Sequence, residues 1–114
     1  MQDYSNIALS VSNAIRTSIQ GDHKAGLGDR ELQVLEHVTR EHSHGRCVFM
    51  EDGMSLKYLG SRYTLRKSIQ KLIDLDYLNI DVTDGSRQRS LVPAARALSL
   101  FDTIGKSISH IVAA

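Results

Sequence analysis

The 114-residue sequence predicts a mainly α-helical domain of the α+β class, with one small β-hairpin. Three observations support this prediction. Apolar residues recur at helical spacing in several segments, a stretch near residue 80 alternates apolar and polar residues as a strand does, and Asp84-Gly85 is a hairpin turn signal. The hydrophobic content of 41% and charged content of 24% are ordinary for a globular protein. We expect residues 1–114 to form a single domain.

Both terminal segments predict helices with a narrow apolar stripe. The first spans residues 3–20, and its stripe comprises Ile7, Val11, Ile15 and Ile19, one every four positions. The last spans 93–114 and begins at Pro93, a residue suited to the first helical position. Its stripe, with the 4-3-4-3 spacing of a coiled-coil seam, comprises Ala97, Phe101, Ile104, Ile108 and Ile111. We expect these stripes to form a homodimer interface; the alternative is that the two helices pack together within one chain.

Residues 27–92 predict the core between the terminal helices. Gly28 is placed as the cap of a helix from Asp29 to about His42, whose buried residues would be Leu32, Leu35 and Val38. The run Cys47 to Met50 suits a strand and Asp52-Gly53 a turn. A short helix from Met54 to Leu59 would then stop at Gly60.

The next helix sorts its residues cleanly. Ser61 can cap a helix running to about Leu75. Its inward residues are Leu65, Ser68, Ile69 and Leu72, and its outward residues are Arg62, Tyr63, Arg66, Lys67 and Gln70. The strand after it places Leu78, Ile80 and Val82 inward and Asn79, Asp81 and Thr83 outward. A returning strand is expected over Gln88 to Val92.

Positive charge is concentrated on the helix after Ser61 and just before it. The net charge is only +1, yet residues 57–71 contain five basic residues and no acidic one. The rest of the chain holds nine basic and thirteen acidic residues. A basic segment in an otherwise acidic chain is typical of a protein that binds a polyanion, although a solvated helix face paired with acids from elsewhere would read the same way.

Helix, short helix, tight turn, helix and hairpin, in that order, form a winged helix-turn-helix arrangement. Such a fold places one helix in the major groove of double-stranded DNA, where Arg and Gln side chains reach base edges. Lys67 and Lys71 would neutralise phosphates, Ser61 and Thr64 would form hydrogen bonds with them, and the hairpin arginines would enter the minor groove. The predicted DNA-contacting residues are Ser61, Arg62, Tyr63, Thr64, Arg66, Lys67, Gln70, Lys71, Arg87 and Arg89.

Residues 27–100 resemble the DNA-binding half of the MarR family of bacterial transcriptional regulators. Leu72, Asp76, Tyr77 and Leu78 stand where that family has the end of its recognition helix, a glycine and a hydrophobic pair. Asp76 replaces the glycine, and aspartate can adopt the left-handed conformation required there. The resemblance implies a homodimer formed by the terminal helices, and a small-molecule effector pocket between the dimer and DNA-binding parts. Our hypothesis is a sequence-specific DNA-binding transcriptional regulator, most simply a repressor that occludes a promoter.

Other classes have weaker support in the sequence. No catalytic motif or cofactor-binding motif is found, so we expect neither enzyme activity nor a cofactor. His37, Glu41, His42, His44 and Cys47 are metal-ligand types without an established spacing, and Cys47 is expected to be a buried packing residue. The lone cysteine and the absence of a long apolar run or signal-peptide pattern favour the cytoplasm. The remaining alternative is a winged-helix module for protein interaction or for replication and partition.

Overall fold

A computed structural model describes residues 4–22, 27–82 and 89–113. In this part of the chain the fold is mainly helical with a small antiparallel sheet, as the sequence predicts. The elements are α1 (Tyr4–Asp22), α2 (Asp29–Ser43), β1 (Val48–Phe49), α3 (Met50–Met54), a 3-10 helix (Lys57–Leu59), α4 (Arg62–Asp74), β2 (Leu78–Asp81), β3 (Ser90–Pro93) and α5 (Ala95–Ala113). The chain divides into two compact units, one of Leu27–Leu98 and the other of Met1–Gly26 with Ser99–Ala114.

The sheet has three strands in the order β1-β3-β2, all antiparallel. Leu91 in the central strand is paired with Val48 on one side and Ile80 on the other. The prediction that Val82 faces inward is wrong: β2 ends at Asp81, and Val82 is 58% exposed. The predicted turn at Asp84-Gly85 lies outside the described residues.

Pro93 does not begin the last helix as predicted. It is the last residue of β3, where it is paired with Leu78, and α5 begins at Ala95. The backbone N–H of Ala94 then donates to the carbonyl of Tyr77 at 2.9 Å. A proline is tolerated at a strand end because the ladder continues through the donor of the following residue.

The core of the Leu27–Leu98 unit lies where α2 and α4 pack on each other and on the sheet. Leu35 and Val38 of α2 are fully buried as predicted, but Val34 is fully buried in place of the half-buried Leu32. On α4 all four predicted inward residues, Leu65, Ser68, Ile69 and Leu72, are buried. The buried face of α2 is therefore rotated by part of a turn from the one its sequence indicates.

The segment after β1 forms a helix where the sequence predicts a turn. Asp52 lies in the first turn of α3, and its carboxylate accepts a hydrogen bond from the backbone N–H of Phe49 at 2.9 Å. Gly53 is buried in the same helix. A Cβ on Gly53 would lie 2.9 Å from Cδ1 of Ile69 and 3.3 Å from Cδ1 of Leu91. Aspartate and glycine serve here as a helix cap and a close-packing residue, which is why the turn signal is misleading.

The C-terminus of α4 ends in a Schellman motif. Asp76 has φ 65°, the left-handed conformation that the sequence predicts for it. Its N–H donates to the carbonyl of Ile73 at 3.0 Å, and the N–H of Tyr77 donates to that of Leu72 at 2.8 Å. Arg96 of α5 adds side-chain contacts at this helix end. Its guanidinium donates to the carbonyl of Leu75 at 2.6 Å and lies 4.5 Å from the Tyr77 ring centroid.

Candidate nucleic-acid interface

The outward face of α4 combines charged, amide and aromatic side chains. Tyr63, Arg66, Lys67 and Gln70 are all exposed, as predicted, while the opposite face of the helix is buried. Lys67 Nζ lies 4.6 Å from the centroid of the Tyr63 ring, so a cation stacks on an aromatic side chain that is 69% exposed. Gln70 Nε2 donates to Asp74 Oδ1 at 2.9 Å.

Arg66 is the least engaged cation of this face. Within the described residues its guanidinium makes no hydrogen bond and no ion pair. Arginine carries its charge at all physiological pH values and offers donors in a planar fork. The geometry thus presents one guanidinium, one ammonium and one amide along a single helix face.

The structure brings acidic residues to two of the other predicted contacts. Arg62 Nη2 lies 2.7 Å from Glu51 Oε2 of α3, and Arg62 Nη1 is 3.4 Å from Ser55 Oγ. Lys71 Nζ lies 3.2 Å from Glu31 Oε1 of α2, and the Lys71 side chain is 41% exposed. The basic run 57–71 is free of acids in sequence, but part of its charge is paired in the fold.

The N-terminal turn of α4 is organised by its cap. Ser61 Oγ accepts a hydrogen bond from the backbone N–H of Thr64 at 3.2 Å and donates to Thr64 Oγ1 at 2.9 Å. Both predicted phosphate contacts therefore have capping roles already. Sequence reasoning missed Arg30, whose Nε donates to the carbonyl of Leu59 at 2.8 Å and ties the first turn of α2 to the turn before α4. No sequence signal links residues so far apart.

Of the two predicted hairpin arginines, Arg89 lies within the described residues. Arg89 is exposed immediately before β3, and its carbonyl accepts a hydrogen bond from the N–H of Met50 at 2.9 Å. Arg87 lies outside the described residues. At the base of the hairpin, Ser90 Oγ donates to the carbonyl of Asp81 at 3.2 Å.

The predicted dimerisation residues lie on apolar stripes that are only partly covered. In α1 the side chains of Ile7, Val11 and Ile15 are half-buried, and the side chain of Ile19 lies outside the described set. Among residues 4–17 none is fully buried. In α5 the predicted residue Ile104 is buried. The other three, Phe101, Ile108 and Ile111, are half-buried.

The histidine-rich end of α2 holds one notable ion pair. Arg46 donates to the Glu41 carboxylate, and this hydrogen bond, reinforced by the charge of Arg46, lowers the pKa of Glu41 from its usual range. Within the described residues, no three His, Cys, Asp or Glu side chains come together as a metal site would require. Cys47 is exposed, so the expectation that it packs in the core is wrong.

Within the described residues, no helix is both long and apolar enough to cross a membrane.

The sequence matches no protein family, and a comparison with curated proteins finds no match.

Proposed function

We propose that this protein is a sequence-specific, double-stranded DNA-binding transcriptional regulator, most simply a repressor, that reads the major groove with α4 as a homodimer. The observation that carries the proposal is the outward face of α4, where Arg66, Lys67 and Gln70 are exposed side by side on a helix whose other face is buried. A helix anchored in this way can enter a groove without exposing apolar residues.

The order of elements supports a winged helix-turn-helix. The chain runs α2, β1, α3, the 3-10 helix, α4, β2 and β3; α3 packs on α4, and the two strands β2 and β3 follow them. With 13 residues, α4 is about 20 Å long at roughly 1.5 Å per residue. A major groove about 12 Å wide admits such a helix.

Each side chain on the outward face suits a particular contact. Arg66 is suited to a bidentate contact with guanine, and Gln70 to one with adenine if it leaves Asp74. Lys67 would neutralise a phosphate, and the Tyr63 ring beneath it would contact sugar or a thymine methyl group. Arg89, exposed just before β3, would enter the neighbouring minor groove as part of the wing.

The terminal helices support a homodimer. Most of the stability of a helix in a protein comes from packing its apolar face and not from intrinsic helix propensity. Yet no side chain of residues 4–17 is fully buried, and Arg16 and Asp22 are the only charged residues among the 19 of α1. A second copy would cover the stripe of Ile7, Val11 and Ile15 and would double the phosphate contacts of a single half-site.

The test is fluorescence anisotropy on random and genomic duplexes across a salt series. We expect steep salt dependence and a preferred palindromic fragment. Arg66→Ala should remove about 1–3 kcal/mol of base discrimination, whereas Lys67→Ala should weaken all sequences alike and lower the salt slope by about 0.9. Arg40→Ala is the matched control, because Arg40 is exposed on α2 outside the proposed interface.

Two results would contradict this proposal. If Arg66→Ala leaves both affinity and preference unchanged, α4 is not the reading helix. If the wild-type chain binds no duplex at low salt, the alternative of a protein-interaction module is favoured. The dimer is tested separately by sedimentation equilibrium, in which Val11→Asp should yield a monomer and Ser12→Asp, at an exposed position of α1, should not.

A further inference from the structure

Glu51 places a carboxylate at the edge of the proposed DNA-reading face. It lies in the first turn of α3, and its Oε2 is 2.7 Å from Nη2 of Arg62, the first residue of α4. The Glu51 side chain is 71% exposed and the Arg62 side chain 58% exposed. Ser55 adds a second contact to Arg62, and its own hydroxyl is held by the carbonyl of Glu51 at 2.7 Å.

Arg62 would otherwise be a natural phosphate ligand. It lies four residues before Arg66, so both side chains project from the same side of α4. A guanidinium next to a helix in the major groove is within reach of the flanking phosphates. Glu51 of α3 forms an ion pair with this guanidinium. Its negative charge opposes the approach of a phosphate to the same group.

The ion pair is weak enough to be broken. Exposed ion pairs contribute little to stability and are screened by salt. A phosphate can therefore displace Glu51 from Arg62. Breaking the ion pair costs free energy, and this cost reduces the free energy of DNA binding. The pair does not abolish the contact of Arg62 with DNA; it reduces what that contact contributes.

We propose that Glu51 is a positioning residue that holds Arg62 away from phosphates and so lowers the affinity of the protein for DNA of every sequence. This inference rests on the proposed function. Phosphate contacts contribute equally to the binding of every duplex. Discrimination between sequences therefore depends on the base contacts of Arg66 and Gln70 and not on Arg62.

The test is Glu51→Gln, which keeps the side-chain shape and removes the charge. On random duplex the variant should bind roughly 1.4- to 5-fold more tightly at low salt, the range expected from an exposed ion pair. Its salt slope should become steeper by up to about 0.9, because Arg62 neutralises a phosphate more completely once Glu51 no longer competes for its guanidinium. A preferred fragment should gain the same factor, so that the specificity ratio does not change.

Two further variants assign the effect to Arg62. In an Arg62→Ala background, Glu51→Gln should add nothing to the affinity or to the slope. Asp102→Asn is the charge-matched control, since it raises the net charge equally and breaks an exposed ion pair with Lys106 on α5. It should leave both readouts unchanged. Thermal melting of each variant, followed by circular dichroism, shows that binding is compared between folded proteins.

The outcomes are distinguishable. If the wild type binds DNA and Glu51→Gln leaves affinity and slope unchanged or weakens binding, the inference is overturned and the pair only joins α3 to α4. If the gain persists without Arg62, Glu51 repels DNA directly and the role assigned to Arg62 is wrong. If neither wild type nor variant binds any duplex, the proposed function itself fails.

Discussion

Replacing Gly53 by alanine tests whether the close approach of α3 to α4 is set by the absence of a side chain. The new Cβ would lie 2.9 Å from Cδ1 of Ile69 and 3.3 Å from Cδ1 of Leu91, and both of these side chains are in the core. Alanine in a helix is favoured over glycine by about 1 kcal/mol. Overpacking a core costs about 1–3 kcal/mol. We therefore expect a net loss of about 1 kcal/mol in the free energy of unfolding.

A double-mutant cycle with Ile69→Val isolates the cause. Valine lacks the Cδ1 atom that the new methyl group would meet, and the next nearest atom of that side chain, Cγ1, is 3.9 Å away. Ile69→Val alone should cost about 0.5–1.5 kcal/mol as a core truncation. In the double variant the methyl group of alanine fills part of the vacated space. The two changes should therefore be coupled favourably by about 1–2 kcal/mol.

The measurement is urea unfolding followed by circular dichroism, in which a shift of the midpoint at constant slope reports the change in stability. Gly105→Ala is the matched control, because Gly105 is a helical glycine of α5 whose added Cβ meets nothing within 4 Å. It should stabilise the protein by up to about 1 kcal/mol through helix propensity alone. If Gly53→Ala is equally stabilising, or if the cycle is additive, the steric explanation is refuted.

Two further predictions concern local structure. Asp76→Gly should stabilise the protein by about 0.5–1 kcal/mol in the same urea assay, because Asp76 has φ 65° at the end of α4 and glycine adopts this conformation without strain. Asp76→Val should destabilise the protein. Equal stability of the two variants would argue against backbone strain at this position. The pKa of Glu41 is lowered by its hydrogen bond to Arg46 and also by the charge of Arg46. The pair therefore stabilises the folded protein above pH 4.5, the ordinary pKa, and this contribution is lost as the pH falls through the lower pKa of the folded state. Carbon-13 NMR titration of the Glu41 carboxyl should give a midpoint below 4.5 that returns toward it in Arg46→Ala, and a wild-type midpoint at 4.5 would contradict the pairing.

Local sequence was sufficient for most helices and for the sorting of α4. Helical spacing of apolar residues is a local property, so the inward set of Leu65, Ile69 and Leu72 could be identified without tertiary information. The same holds for the Ser61 cap and for the left-handed Asp76, since capping and turn chemistry depend on neighbouring residues only. The outward face of the candidate site follows directly from that sorting.

Local signals were misleading where packing decides the backbone. Asp52 and Gly53 read as a turn, but the contact of α3 with Ile69 and Leu91 makes them part of a helix. Pro93 reads as a helix start, but pairing with Leu78 keeps it in β3. Val82 continues the strand alternation in sequence, yet the ladder ends at Asp81 and leaves it exposed.

The sequence by itself determined which side chains α4 presents, because helix geometry ties position along the chain to position around the axis. Only the tertiary structure decided which of those side chains are already engaged. Glu51 and Glu31 come from other helices to pair with Arg62 and Lys71, and Arg30 reaches the Leu59 carbonyl across 29 residues. Charge counted along the chain cannot show such pairs, since an ion pair depends on distance in space and not on distance in sequence.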